Sequence, residues 1–473
     1  MKRRIVLFVI GIFFVAMLVA CLPPKADFPS VTLAPSLSPL PTQTLLPVVS
    51  TSVLPLTSIF GVGVNGGSGF EQMAQAGIYW ARNDSVVSWA AVESVEGTRD
   101  WSVLATLAQG WQTASSRNIE PIVIVRVTPS WAQQVAGYTC GPIRPDKLNS
   151  FASFMHDLVA RYSVPPYNVK YWELWNEPDI DYHLVSPTSD WGCWGDQSDA
   201  YYGGGYYAQM LKAVYPQIKA VDPQAQVLVG GLLLDCDPRP GAGCATVGNS
   251  NLPPKFLQGI LINNGAPYFD GVSFHAYDSY QGQSGQYGNA NWQSSWNTTG
   301  PVVTAKAQFI QSVLSQYGVS GKYLLNTESA ILCDTCSNDP AFEATKAYYL
   351  AQAYAAAIAQ GLRANLWYSV LGWRNSGLLN ADLGPRPAYT AFQVSHNELR
   401  DAKWVRNIES SGVKGYEFQR GDRRIWVLWS LDGADHDVSL GASPQAVFDV
   451  VGTSLPTSER LHITLNPIYV EWQ

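Results

Sequence analysis

The sequence predicts an α/β fold: a (β/α)8 TIM barrel over residues 59–400, followed by a small antiparallel β-sandwich over 401–473. Three observations predict it. Eight short apolar runs between residues 60 and 368 alternate with helical patterns, which suits parallel strands joined by crossover helices. Eight such units in about 340 residues fit a closed barrel with enlarged loops. Past residue 403 the helical period disappears, and strand-like runs follow one another with turn residues between them. An open doubly wound sheet is the alternative, but no Gly-rich phosphate turn follows the first run. Gly61-Val62-Gly63 matches such a fingerprint only in part and suits a tight strand.

The chain starts Met1-Lys2-Arg3-Arg4, and residues 5–20 are a sixteen-residue uncharged apolar run. A basic start before a run of this length is an export signal. The run ends Leu18-Val19-Ala20-Cys21, which resembles a bacterial lipoprotein signal and implies cleavage before Cys21 and lipid on its thiol. The alternative is an uncleaved anchor, although sixteen residues fall short of the roughly 20 that span a bilayer. Either way the expected location is the cell surface, outside the cytoplasm, with membrane contact only through the anchor. The next segment, 22–58, holds eight Pro and eleven Ser or Thr in 37 positions, with Lys25 and Asp27 its only charges. It cannot bury enough apolar surface to offset its ordering entropy, so a tether spanning 21–58 is expected.

The eight barrel runs are 60–64, 78–82, 121–127, 170–175, 226–230, 271–275, 322–327 and 363–368. Helical patterns at 101–117, 147–162, 206–221, 302–317 and 341–360 lie between them. The C-terminal runs are 416–419, 424–430, 436–440, 446–451 and 462–465. Gly421-Asp422 and Asp432-Gly433 mark turns, so Arg420-Gly421-Asp422 reads as a hairpin rather than an adhesion motif.

Setting Cys21 aside leaves six cysteines, an even number in an oxidising compartment. Closeness along the chain suggests Cys236–Cys244 and Cys333–Cys336, leaving Cys140 with Cys193. A redox or metal half-site at Cys333-Asp334-Thr335-Cys336 lacks a thioredoxin-like or His-rich context.

Aromatic residues make up 12% of the chain and charged residues only 14%, which excludes a charge-rich disordered protein. With 30 basic against 37 acidic side chains the net charge is −7, and no Lys/Arg run offers nucleic acid a footprint. A neutral, flat, polar ligand suits this composition better. The six His are scattered without metal-ligand spacing, so no metal and no cofactor are expected, and the chain is read as a monomer.

Chemistry in a barrel sits where the strands end. The fourth run ends Trp172-Glu173-Leu174-Trp175-Asn176-Glu177-Pro178, and the seventh ends Asn326-Thr327-Glu328. Glu177 and Glu328 are 151 positions apart, yet strands four and seven face each other across one barrel mouth. Two carboxylates across an aromatic-walled cleft are what glycosidic cleavage needs: one protonates the leaving oxygen, the other attacks the anomeric carbon.

These two strings resemble the signature of the clan A retaining glycoside hydrolases, and the first is most similar to family 39, with family 5 also possible. The resemblance covers roughly 60–399 as a barrel pattern and is specific only at a few strand ends. It implies that Glu177 is the acid/base, Glu328 the nucleophile and Asn176 a ligand of the sugar 2-hydroxyl. It further implies that His275 and Tyr277 contact the reaction centre, that Arg82 keeps the nucleophile ionised, and that Trp367 or Trp373 floors the sugar subsite.

Trp131, after the third run, is a further subsite candidate. Trp172, Trp175 and Trp191 are expected to wall the acid and raise its pKa. The loops 179–205 and 278–297, carrying Trp191, Trp194, Tyr201, Tyr202, Trp292 and Trp296, are expected to wall the cleft. Glu173 shares the strand parity of Glu177 and is expected one layer lower, paired with an Arg such as Arg126. The expected function is retaining hydrolysis of β-linked xylosyl- or glucosyl-type bonds in an oligo- or polysaccharide. A non-catalytic carbohydrate-binding surface lipoprotein and a transglycosidase are the alternatives.

Overall fold

The computed structural model describes residues 58–64, 67–83, 86–246, 252–285 and 288–473. The expected leader, Cys21 and the tether up to residue 57 lie outside the described residues.

Strand and helix alternate along the described chain. The barrel runs β1 (Phe60–Val64), α1 (Phe70–Gln75), β2 (Trp80–Asn83), α2 (Ala105–Ser116), β3 (Glu120–Arg126), α3 (Leu148–Tyr162), β4 (Tyr171–Asn176) and α4 (Gly204–Val221). It continues with β5 (Gln226–Leu232), α5 (Lys255–Ile262), β6 (Gly271–Tyr280), α6 (Val302–Gln316), β7 (Tyr323–Leu332), α7 (Pro340–Ala359), β8 (Ala364–Trp367) and α8 (Pro387–Leu399). Each strand pairs in parallel with the next, and β8 pairs with β1 through Phe60 and Asn365, so the sheet closes.

The helices form for local reasons. Leu148, Phe151, Ala152, Met155, Leu158, Val159 and Tyr162 recur at helical spacing on α3 and are all buried against the sheet. Asp339 caps α7 by accepting from Ala341 N at 2.9 Å, and Pro340 occupies its first turn, where a missing N–H costs nothing.

Inside the barrel, Trp80, Ile122, Tyr171, Leu228, Leu325 and Leu366 pack into an apolar plug. Two residues further along β2, β4 and β7 the inward positions become Arg82, Glu173 and Thr327, a polar layer above the plug. That layer is the floor of the site.

Beyond the barrel lie β9 (Lys403–Ser410), β10 (Val413–Arg420), β11 (Arg423–Ser430), β12 (His436–Ser439), β13 (Ala446–Asp449), β14 (Arg460–Ile463) and β15 (Ile468–Trp472). An antiparallel sheet runs β9-β10-β11-β15-β13, and β12 pairs with β14 separately. Its inner face, including Tyr416, Phe418, Val427 and Tyr469, joins the barrel's core, and Tyr469 Oη lies 2.8 Å from Ser395 Oγ on α8. Its outer face forms a second core with Leu461 and Ile463 of β14. The sequence did not suggest β9 or β15. The residues of β9 are almost all exposed, so no buried alternation marks it.

All three bridges, Cys140–Cys193, Cys236–Cys244 and Cys333–Cys336, are present.

Candidate active site

Glu177, at the end of β4, and Glu328, within β7, meet at the C-terminal mouth of the barrel with side chains 12% and 11% exposed. One oxygen of each carboxylate and a ring nitrogen of His275 all lie within 4.8 Å of one another. His275 is fully buried between them, with Nδ1 2.8 Å from Glu177 Oε1 and Nε2 3.6 Å from Glu328 Oε1.

Strand alternation alone does not place these groups. Trp175 and Glu177 have left-handed backbones, with φ of 71° and 49°, on either side of Asn176. The break at Trp175 turns its indole outward, where the N–H donates to Cys140 O at 2.9 Å and the ring packs on Phe151 and Trp194. Asn176 is thereby turned inward to accept from Arg82 Nη2 at 2.7 Å. Such conformations cost about 1–3 kcal/mol each and persist where surrounding contacts over-determine them. Here Glu177 N donates to Gly231 O at 2.9 Å, and Gly192 N donates to Asn176 O at 3.0 Å.

Arg82 is the hub of the polar floor. Its Nε donates to Glu173 Oε2 at 2.6 Å, its Nη1 to Glu328 Oε1 at 2.5 Å, and Thr327 Oγ1 closes the ring on Glu173 Oε1 at 3.0 Å. The expected Glu173–Arg126 pair is therefore corrected: Arg82 holds Glu173 from the same layer, and Arg126 Nη2 reaches Asp190 at 2.7 Å. Tyr277 donates its hydroxyl to Glu328 Oε2.

These contacts set the charges. Burial pushes the Glu328 carboxyl up, but His275, the Arg82 guanidinium and hydrogen bonds from Tyr277 and Arg82 outweigh it, leaving the group more acidic than an ordinary Glu. Burial works against the Arg82 cation, yet Glu173 and Glu328 hold it charged beyond its usual range. Burial and Glu328 keep the Tyr277 phenol well above its ordinary value, so it remains a donor.

Trp367 does not floor a subsite. It is fully buried, edge-on to Tyr349, and its indole N–H donates to Ser376 O at 2.8 Å. The next residue, Tyr368, lines the cleft instead, because neighbouring strand residues face opposite ways. Trp373 is 49% exposed beside Tyr277 and Tyr368, with ring centroids 5.9 and 6.5 Å away. Trp131 is half-buried, edge-on to Trp89, with its N–H on Glu93 O at 3.0 Å.

The expected aromatic walls are corrected in the same way. Trp172, Trp175, Trp194, Tyr202, Trp292 and Trp296 are core residues, whereas Trp191 is 41% exposed. A cavity of about 130 Å³ adjoins Glu328 and is lined by Arg82, Val86, Ile124, Arg126, Asn176, Asp190, Glu328 and Tyr368, without Glu177.

Sequence reasoning missed Gly231. A Cβ there would stand 2.1 Å from His275 Nε2, so only glycine lets the imidazole sit between the two carboxylates. The Gly230-Gly231 pair at the end of a strand was the available signal.

Among the described residues, Glu177, His275 and Glu328 are also the group that could offer three ligand atoms to a metal ion. Both oxygens of Glu328 already accept from Arg82 and Tyr277, and the guanidinium places positive charge where a divalent ion would sit. The donor set fits an ion poorly.

No family model matches the chain, and no curated protein matches it. Solved structures do. A family 39 glycoside hydrolase from Bacteroides cellulosilyticus is similar at 18% identity and TM-score 0.63, over 88% of this chain and 81% of that one. A family 30 endoxylanase from Clostridium papyrosolvens is similar at 12% identity and TM-score 0.57, over 88% and 96%. A monomeric β-xylosidase from Caulobacter crescentus is similar at 14% identity and TM-score 0.52, over 88% and 94%. At these identities the likeness is one of fold: a barrel with an appended antiparallel sheet.

Proposed function

We propose that the chain is a retaining glycoside hydrolase of the clan A type acting on β-glycosidic bonds, with Glu177 as acid/base and Glu328 as nucleophile. The observation that carries this reading is the approach of the two carboxylates to within 4.8 Å across one barrel mouth. Retaining enzymes hold their carboxyl groups about 5–5.5 Å apart. In the first step a Glu328 oxygen bonds to the anomeric carbon while the glycosidic C–O bond breaks, and Glu177 gives its proton to the leaving oxygen. In the second, Glu177 takes a proton from water as the water oxygen displaces Glu328 from the anomeric carbon. Arg82 and Tyr277 suit Glu328 to the charge changes of both steps.

Xylosyl- or glucosyl-type substrates are proposed on the resemblance to family 39 and on the endoxylanase and β-xylosidase that share this fold. Asn176 and the exposed rings of Trp373 and Trp191 are the proposed sugar contacts. The export signal and Cys21 support a cell-surface, lipid-anchored location, with residues 59–400 as the catalytic unit and 401–473 as its companion. A carbohydrate-binding protein without activity has no need of an ionised Glu328 facing a second carboxyl. Hydrolysis of a panel of aryl β-xylosides, glucosides, mannosides and galactosides and α-arabinosides tests the reading. Turnover by wild type and its loss in Glu328→Ala are expected, and inactivity of wild type on the whole panel would overturn it.

A further inference from the structure

Behind Glu177 lies a buried cation that the proposed reaction does not use directly. Lys306, on α6, is 3% exposed, and its Nζ donates to Leu233 O at 2.6 Å and His275 O at 2.9 Å. Leu233 follows β5. Its N–H and that of Leu234 both go to the carboxylate of Asp179, at 2.9 and 2.8 Å. Asp179 is fully buried and stands two residues past Glu177. One ammonium and one carboxylate thus grip the same stretch of main chain, tying the end of β4, which carries Glu177, to β6, which carries His275.

The N-terminus of α6 is fixed as well. Asp278, three residues past His275, accepts from Val302 N and Ser295 N, each at 2.9 Å, and from Tyr349 Oη at 2.8 Å. Trp296 donates to Leu234 O at 2.9 Å, and its ring centroid lies 5.8 Å from Lys306 Nζ. Burial lowers the Lys306 ammonium to about 8 against the pull of Asp179, Asp278 and Glu177, and burial raises the Asp179 carboxyl to about 7.

Packing a helix on a strand needs only an apolar side chain, and burying an ammonium is costly. What the ammonium adds is direction, because its two carbonyl partners come from two different segments, one just past β5 and one within β6. We propose that Lys306 is a positioning residue for proton donation: with Asp179 it fixes the distance between Glu177 and His275, and so the aim of the acid at the leaving oxygen. The inference rests on the reading of Glu177 as that acid.

The test is kcat/KM of the full chain, Lys306→Met and Asp179→Asn on two aryl glycosides of the sugar that wild type turns over best. One carries 2,4-dinitrophenol, which departs without a proton; the other carries phenol, which needs one. Both variants are expected to lose about tenfold or more on the phenyl glycoside and to stay within about threefold on the dinitrophenyl glycoside. Equal losses on both glycosides, or no loss on either, would overturn the inference while leaving an active wild type explained. Inactivity of wild type on both would bring down the reading of Glu177 as well. If Lys306→Met does not fold, the near-isosteric Asp179→Asn carries the same comparison.

Discussion

Arg82 Nε donates to Glu173 Oε2 at 2.6 Å, from a guanidinium 1% exposed to a carboxylate fully buried. This contact orients the whole fork. With Nε fixed on Glu173, the two remaining nitrogens point at Glu328 and Asn176. A buried carboxylate that touches no substrate thereby aims the cation at the one that is proposed to react.

Arg82→Met removes that cation, and the loss of transition-state stabilisation is expected to cost about 10²–10³ in kcat/KM. The pH profile gives the sign. A carboxylate nucleophile attacks only when ionised, and in wild type Glu328, proposed for that role, ionises below the ordinary Glu range, with Arg82 opposing the effect of burial. Without the guanidinium the carboxyl moves up, so the acid limb of kcat/KM moves to higher pH. Arg82→Lys is expected to recover only part of the activity, since one ammonium cannot serve three acceptors in a planar fork.

Gly231→Ala adds a methyl 2.1 Å from His275 Nε2. The imidazole must move, and Glu177, held through Nδ1, moves with it. A fall of about 10² in kcat/KM is expected from misplacement of this size, with overpacking destabilising the fold by about 1–3 kcal/mol in urea unfolding.

Trp373→Ala removes an exposed ring beside the cleft. A rise in KM of about tenfold with little change in kcat and in thermal midpoint is expected on aryl glycosides. A fall in the thermal midpoint with unchanged KM would make Trp373 a packing residue.

Dialysis against EDTA is expected to leave turnover unchanged, because Arg82 and Tyr277 already occupy the oxygens of Glu328. Loss on chelation and recovery with a divalent ion would assign the Glu177–His275–Glu328 cluster to metal chemistry.

The sequence carried the barrel well because buried parallel strands are apolar nearly throughout and each is followed by a helical period. It also marked Glu177 and Glu328, since a carboxylate at the end of a buried apolar strand is costly unless it is paired or put to use. It did not reveal how the strands meet in depth. Arg82 and Glu173 are 91 positions apart, and only closure of the sheet puts them in one layer. Side-chain direction failed where the backbone leaves the β region: φ of 71° at Trp175 sends its ring into the core. At β8 the alternation itself decided between neighbours, burying Trp367 and giving Tyr368 the cleft. Aromatic richness in loops was a poor guide to exposure, because Trp194, Trp292 and Trp296 turn back into the main core of the barrel.

The most direct test is mass mapping of the protein after reaction with a 2-deoxy-2-fluoro glycoside bearing a dinitrophenyl leaving group. One covalent sugar on the peptide containing Glu328, increasing when Glu177 is replaced by Ala, is the expected result. A sugar carried by a different residue, or no adduct from a glycoside that wild type demonstrably hydrolyses, would contradict the assignment of Glu328 as nucleophile.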